Sequence, residues 1–399
     1  MTGDPAFWDA TASFRRLRER APVQQAVLPG GLVAWLITGA SQARQALADP
    51  RLALDMRRLP DPRMGFGGRR YPDDIFSAEG RHLLNSDGAE HHRLRTVLAP
   101  LLSRTAAQRW KPYITRTCAE LLDRLDAAER PDLVADYARP LAIRVTTALL
   151  GIPEELQHRL TGLTRSMISA LDPDAPAVHR DRTALFGLWS RIIGHKRRSP
   201  ADDLLTHLVL AHRQGRLSAQ ELVSVAWGLY SGGITPTTTL IVSGAVEIMR
   251  APGLREMLRD DSAADRLTGE LLRITSPFPV ATWRFALQDI AFGDTVIPRG
   301  GVVLVALAAA NRDPELFPDP GTVCPDRRAG QLAFGLGPHY CPGAPLARLQ
   351  ASLALSALIN RFPALRLATA ETALPRQGVL VERCYERLPV RTGATRAEA

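Results

Sequence analysis

The stretch Phe334-Gly335-Leu336-Gly337-Pro338-His339-Tyr340-Cys341-Pro342-Gly343 runs directly into Ala344-Pro345-Leu346-Ala347-Arg348. It reads as a glycine-rich loop that bends sharply, presents one thiol and then enters a helix. The glycines let the chain approach a flat ligand closely, and Pro345 suits a first helical turn, where its missing amide costs nothing. Cys341 is therefore expected just before a helix N-terminus, where unpaired amides and the helix dipole favour a thiolate. A buried cysteine packed as a small hydrophobe is the blander reading. It leaves three glycines, Phe334 and His339 in register around the sulfur without a reason.

At this loop the chain resembles the cytochrome P450 superfamily, whose signature is Phe-Gly-x-Gly-x-His/Arg-x-Cys-x-Gly followed by Leu-Ala-Arg. Every specified position is met. The resemblance implies a mainly α fold with small β-sheets, the cytochrome P450 fold, built as a single domain over residues 1–399 around one haem b. A small β-rich lobe is expected from about 20–60, 276–325 and 370–390, with a helical remainder and a disordered tail over 392–399. Cys341 would be the axial ligand of the haem iron, to which a thiolate donates electron density. Phe334 and Gly335 would belong to the haem-binding loop, and His339 would approach a haem propionate.

Other family motifs appear upstream in the required order. In Asp87-Gly88-Ala89-Glu90-His91-His92-Arg93-Leu94-Arg95, His91 and Arg95 lie four apart and share one helical face. Alone, such a pair is a solvated basic surface; by the resemblance it contacts the propionates. Glu270-Leu271-Leu272-Arg273 sets opposite charges three apart, and in isolation would be an ordinary surface pair. The resemblance makes Glu270 and Arg273 a buried pair beneath the haem, joined by Arg327, with Arg328 as the second candidate. Arg284 stands where the family places an arginine on a propionate, and a guanidinium fork suits a carboxylate. Ala310-Asn311-Arg312-Asp313-Pro314 repeats another family hallmark, while Gln331 replaces a frequent propionate-contacting histidine.

The mechanism turns on Leu222–Val246, which holds no Asp, Glu, Lys or Arg. Ser231-Gly232-Gly233-Ile234-Thr235-Pro236-Thr237-Thr238-Thr239 at its centre is too polar for lipid, so a core helix is expected. The family's Ala/Gly-Gly-x-Asp/Glu-Thr passes protons here. This chain sets Thr235 on the acid and Pro236 on the threonine, or Ile234 and Thr235 in the alternative register; the acid is missing either way. A proline inside a helix removes an amide donor and kinks the helix. Thr235, Pro236 and Thr237 are therefore the candidate oxygen-activation residues. Either a water groove at the freed Gly232 carbonyl or hydroxyl groups of Thr235, Thr237 or the substrate would relay protons.

Composition sets the remaining bounds. The chain has 399 residues, 45 % hydrophobic and 23 % charged, which is ordinary for a large globular core. Its formal charge of +9 comes almost wholly from arginine, since Lys111 and Lys196 are the only lysines. Without a basic block the charge suits an acidic electron carrier better than nucleic acid. Cysteines 118, 324, 341 and 384 lack disulfide or zinc spacing, and the first ten residues hold no long apolar run. A cytoplasmic, monomeric protein without membrane or nucleic-acid partners is expected. Ser41–Ala48 reads as a capped helix, Trp110–Leu217 as amphipathic helices broken at Pro140 among other prolines, and Val302–Ala308 as a buried strand. The proline- and glycine-rich stretch over 57–86 reads as a long loop; by the resemblance, it and a joint over 171–176 would cover a pocket that includes Phe66 and Phe76.

The functional expectation is a monooxygenase that takes electrons from NAD(P)H through ferredoxin reductase and ferredoxin. It would insert one oxygen atom into a small-molecule natural-product intermediate. The missing acid–alcohol pair keeps a second reading open: oxidative C–C or C–O coupling, dehydrogenation or peroxide-driven turnover. A non-catalytic haem-binding module is the third.

Overall fold

The computed structural model describes residues 10–28, 31–61, 64, 80–168, 176–379 and 382–393. Most of the expected lid loop, with Phe66 and Phe76, lies outside the described residues, as do most of the 171–176 joint and the tail from 394. The fold is mainly α with small sheets. In chain order the helices are α1 (Ala10–Arg20), α2 (Ala40–Ala48), α3 (Gly88–Leu98), α4 (Arg104–Gln108), α5 (Lys111–Ala127), α6 (Arg139–Leu150), α7 (Glu154–Ile168), α8 (Pro176–Arg198), α9 (Leu204–Arg213), α10 (Ala219–Arg250), α11 (Asp261–Thr275), α12 (Leu307–Ala310) and α13 (Ala344–Arg361). The strands are β1 (Val23–Val27), β2 (Val33–Ile37), β3 (Leu52–Ala53), β4 (Arg284–Ala286), β5 (Ile290–Phe292), β6 (Thr295–Ile297), β7 (Val302–Val305), β8 (Arg366–Leu367), β9 (Arg376–Val379), β10 (Glu382–Tyr385) and β11 (Val390–Arg391).

The chain divides into two compact units. The first takes Met1–Leu52, Leu102–Ala142 and Thr235–Ala399; the second takes Ala53–Leu101 and Ile143–Ile234.

In the first unit a mixed sheet runs in the order β1-β2-β7-β4-β3. Val23 pairs antiparallel with Ile37, Trp35 parallel with Val303, and Arg284 antiparallel with Val303. β7 is buried at every residue, as a central strand covered on both faces must be. Its core also takes in Ala43 and Leu47 of α2, Ile290, Ile297 and Leu332. The expected strand over 302–308 stops at Val305, where the β-branched residues end; the alanines that follow form α12. α2 has no side-chain cap. Instead the carboxylate of Asp313 accepts from the Ala40 amide at 2.7 Å, a partner 273 residues away. Pro140 does not break the chain either: it is the second residue of α6, which follows directly on a π-helical turn, Leu133–Ala138. α5 and α11 flank α13, and Tyr137 donates from its hydroxyl to the Ala354 carbonyl of α13 at 2.7 Å.

In the second unit α7, α8 and α9 pack in succession. Asp203 caps α9 by accepting from the Thr206 amide at 2.8 Å and also pairs with buried Lys196. On α10, Tyr230 is fully buried, shares a hydrogen bond with Thr161 at 3.0 Å and meets Trp189 edge-on. Arg93 of α3 pairs with Glu221 near the start of α10. Burial raises the Glu221 carboxyl, but hydrogen bonds from Arg93 and Ser218 outweigh it and hold the group below the ordinary glutamate range.

α10 is 32 residues long and stays helical through Pro236. Among the described residues no helix is long and apolar enough to cross a membrane.

Candidate functional site

The Cys341 loop is shaped by its own backbone. Gly335 and Gly337 take φ of +74° and +76°, the left-handed region that side chains disfavour. A Cβ on Gly337 would also come within 3.2 Å of the Leu47 carbonyl and 3.3 Å of the Ala48 Cα. The loop thus lies close against the end of α2. The Cys341 amide returns to the Phe334 carbonyl at 2.9 Å, closing the turn, and Phe334 meets Tyr340 edge-on at 6.1 Å. Cys341 is half-buried, and α13 starts three residues later with Pro345 in its first turn. His339 ends a single 3-10 turn, Gly337–His339, and is also half-buried.

Beside this loop the structure brings together Glu270, Arg273 and Arg327. Glu270 accepts from Arg273 Nε at 2.8 Å and Nη2 at 2.7 Å, and from Arg327 Nε at 3.1 Å. The glutamate and Arg273 side chains are 4 % and 1 % exposed, so their charges depend on protein partners alone. Those partners are present. Arg273 Nη1 donates to the carbonyls of Asn311 at 2.8 Å and Pro320 at 2.9 Å, and its guanidinium stacks over Phe317. Arg327 donates to the carbonyls of Pro318 and Asp319 at 2.6 and 2.9 Å. Arg327 rather than Arg328 is the third member.

Asn311 is the residue that the sequence reading quoted without a role. It is fully buried. Its side-chain oxygen accepts from the Leu332 amide at 2.7 Å, its side-chain nitrogen donates to Ser276 Oγ at 3.0 Å, and its carbonyl receives Arg273. The Gly335 amide then donates to the Leu332 carbonyl at 2.8 Å. A continuous chain of hydrogen bonds therefore runs from the Glu270 carboxylate to the start of the cysteine loop. Gln331 makes a local turn contact beside it, its side-chain oxygen accepting from the Ala333 amide.

Arg284 opens β4 and is 3 % exposed, with Nη1 and the Leu52 carbonyl 3.5 Å apart. Thr235 and Pro236 are half-buried on α10 and Thr237 is buried. In the second unit, His91 is buried and Arg95 half-buried, one turn apart on α3. The capping residue Asp87 accepts from the amides of Leu54 and Asp55 at 3.0 and 2.8 Å, fixing where α3 begins. Tyr385 of β10 is held by Glu371. Its hydroxyl donates to Glu371 at 2.8 Å while Arg376 sits 4.9 Å over its ring. Burial, and then the Glu371 hydrogen bond and charge against the opposing pull of Arg376, push the Tyr385 phenol up to about 12.

The donor set tests the implied cofactor. Among the described residues no group of three His, Cys, Asp or Glu side chains gathers to hold a bare metal ion. A single thiol on a tight glycine loop fits a metal that brings its own planar ring of donors, and a buried arginine in the same unit fits an acidic substituent on that ring. The residues present fit haem.

The comparisons agree with the site. The family model for cytochrome P450 matches residues 265–382, which contain the Glu270 cluster and the cysteine loop. Cytochrome P450 107B1 of Saccharopolyspora erythraea is 37 % identical over 398 residues, covering 98 % of each chain. The 6-deoxyerythronolide B hydroxylase of the same organism is 36 % identical over 401 residues, again covering 98 % of each. Among solved structures, the tirandamycin C-bound P450 monooxygenase TamI is 36 % identical with a TM-score of 0.89, over 98 % of this chain and 100 % of that one. The chain belongs to the cytochrome P450 superfamily and is an oxidoreductase of its monooxygenase class.

Proposed function

We propose that the chain is a single-domain, monomeric cytoplasmic haem-thiolate monooxygenase that oxidises a bacterial secondary-metabolite intermediate. NAD(P)H would supply electrons through ferredoxin reductase and ferredoxin. The observation that carries this reading is the half-buried Cys341 at the mouth of α13, on a loop whose start is tied through Asn311 to the buried Glu270 cluster. Cys341 would ligate the iron; haem so ligated supplies the activation of dioxygen. His339 and Arg284 would bind propionates, and His91 and Arg95 take the same role by motif. Glu270, Arg273 and Arg327 hold the loop's supporting backbone, so the sulfur keeps one position. The names of two relatives, a 6-deoxyerythronolide B hydroxylase and a protein solved with tirandamycin C, support a natural product as substrate.

Thr235-Pro236 in the middle of α10 favours a second reading, in which the oxidation is coupling, dehydrogenation or peroxide-driven turnover. One experiment addresses both. Ferric holoenzyme is titrated against cyclic dipeptides, aromatic polyketides, macrolides and terpenes while the Soret band is followed. Binding compounds are then turned over with ferredoxin, its reductase and NADPH, or with hydrogen peroxide alone. A saturable high-spin shift and an oxygenated product that needs the ferredoxin system support the main reading. Product formed equally with peroxide alone, or product lacking added oxygen, supports the second. A reduced carbon monoxide complex without the thiolate signature would overturn both.

A further inference from the structure

His91 and Arg95 share one face of α3, and Arg93 lies between them in the chain, two residues from each. At about 100° of rotation per helical residue, Arg93 falls on the opposite face. That back face is tied down. Arg93 Nη1 donates to the Arg216 carbonyl at 2.7 Å and to Glu221 Oε2 at 3.3 Å, while Nη2 pairs with Glu221 Oε1. Glu221 is itself fixed in the first turn of α10. It accepts from the Ser218 amide at 2.7 Å, and its own amide donates to Ser218 Oγ at 3.1 Å, a reciprocal cap. Its side chain is 9 % exposed, so water is a poor substitute for the arginine.

A second route joins α3 to the same part of α10. The Gly80 amide donates to Ser224 Oγ at 2.9 Å, and a Cβ on Gly80 would lie 2.5 Å from the Gln220 carbonyl, so the backbone of Gly80 rests directly on α10. The next residue, Arg81, donates from Nε to Glu90 Oε2 of α3 at 3.1 Å, and its Nη2 lies 2.7 Å from Asp55 Oδ2. The contacts close a triangle: from the start of α10 to Arg93, along α3 to Glu90, and through Arg81 and Gly80 back to α10. A helix tied by one side chain can roll about that tie. Two ties running to separate supports stop the roll.

We propose that Arg93 is a positioning residue: tied to the start of α10, it fixes the rotation of α3, holds His91 and Arg95 toward the haem propionates, and so raises the reduction potential of the iron. The proposal rests on the haem-thiolate reading and on the propionate role of His91 and Arg95. Propionates left without their cations place uncompensated negative charge near the iron, which favours its more positive, ferric state. Arg93 itself touches neither substrate nor cofactor; it acts through its neighbours on α3.

The test measures the ferric–ferrous midpoint of haem-loaded wild type, Arg93→Met, Arg93→Lys, Arg95→Gln and Asp203→Asn by spectroelectrochemical titration, with the propionate bending band followed by resonance Raman. Methionine keeps the stem and removes the charged fork. Its midpoint should fall, in the same direction as Arg95→Gln and by less, with the propionate band shifted. Lysine keeps the charge without the fork and should lie between methionine and wild type. Asp203→Asn weakens the buried pair with Lys196 and serves as the control for lost stability in the same unit; both of its readings should match wild type. A midpoint and band in Arg93→Met equal to wild type overturn the proposal, as does an equal shift in Asp203→Asn. If the methionine variant does not take up haem, the lysine variant decides: a shifted band supports the proposal and an unshifted one overturns it. An unmoved Arg95→Gln removes the propionate reading and the proposal with it, and a wild-type carbon monoxide complex without the thiolate signature removes the haem-thiolate reading, so each failure has its own mark.

Discussion

Two carboxylates of the first unit are each clasped by arginines, and they differ in what the clasp is for. Glu270 is 4 % exposed and all its partners, Arg273, Arg327 and the Cys324 amide at 2.9 Å, are protein groups. Glu371 is 19 % exposed; it takes Arg250, Arg376 and the Tyr385 hydroxyl, and both arginines are 40 % exposed or more. Burial raises the Glu371 carboxyl, but its hydrogen bonds from Tyr385 and Arg250 and the two positive charges outweigh it and hold the group below the ordinary range. The chemistry of the two sites is alike. What differs is water, which substitutes for a lost partner at Glu371 and has no access at Glu270. The first cluster is therefore an all-or-none support for the cysteine loop, and the second a partly solvated tie between the β9–β10 hairpin and the end of α10 through Arg250.

The widest gap between them should come from Glu270→Ala. Removing the carboxylate strands two guanidinia in the interior, at a cost of about 3–5 kcal/mol. The variant is expected to lose haem, read as loss of the Soret band in purified protein; normal haem content would break the comparison. Asn311→Ala should come next. It leaves the Leu332 amide and Ser276 hydroxyl unmet, about 1–3 kcal/mol for a buried group, and lowers the thermal midpoint. The share of the carbon monoxide complex with the thiolate signature should fall with it, since the start of the cysteine loop loses its anchor. Arg327→Lys keeps the charge but loses the fork that serves Glu270, Pro318 and Asp319 together. A drop of about 1–3 kcal/mol by denaturant unfolding is expected, as for hydrogen bonds to a charged group.

Glu371→Gln should be the smallest, within about 1 kcal/mol at neutral pH because the cluster is partly solvated. Its signature is in the pH profile. A carboxyl whose folded pKa is depressed contributes stability that is full above the ordinary glutamate value of about 4.3 and fades as pH falls through the lower folded value. The wild-type advantage over Glu371→Gln should therefore shrink on acidification below that value. An advantage that grows there would show that the arginines do not hold the carboxylate.

The sequence made the cysteine loop and the Glu270–Arg273 spacing legible because both are local: a few residues in fixed register carry the geometry. Asn311 and Asp313 were visible only as letters in a motif. Their partners, Leu332 and Ser276 for one and Ala40 for the other, are backbone or small groups far along the chain, and such groups leave no trace in composition or period. The β8–β11 pair was missed for a related reason, since two residues per strand are too short to alternate. Pro140 was read as a break because a proline's effect depends on its position within a helix, and that position is set by where the preceding π-helical turn, Leu133–Ala138, hands over to α6. Thr235-Pro236 shows the opposite case: the letters departed from the family pattern, and α10 nonetheless continues through them as one helix.

The scarcity of lysine gives the molecule a property unrelated to its chemistry. Of Lys111 and Lys196, the second is buried against Asp203, and the first stands on the surface near the start of α5, 44 % exposed beside Asp261. A surface ion pair of that kind opens readily. Amine-directed coupling therefore finds one side-chain attachment point on an otherwise arginine-rich surface, and an electrode or carrier joined there would hold every molecule by the same handle.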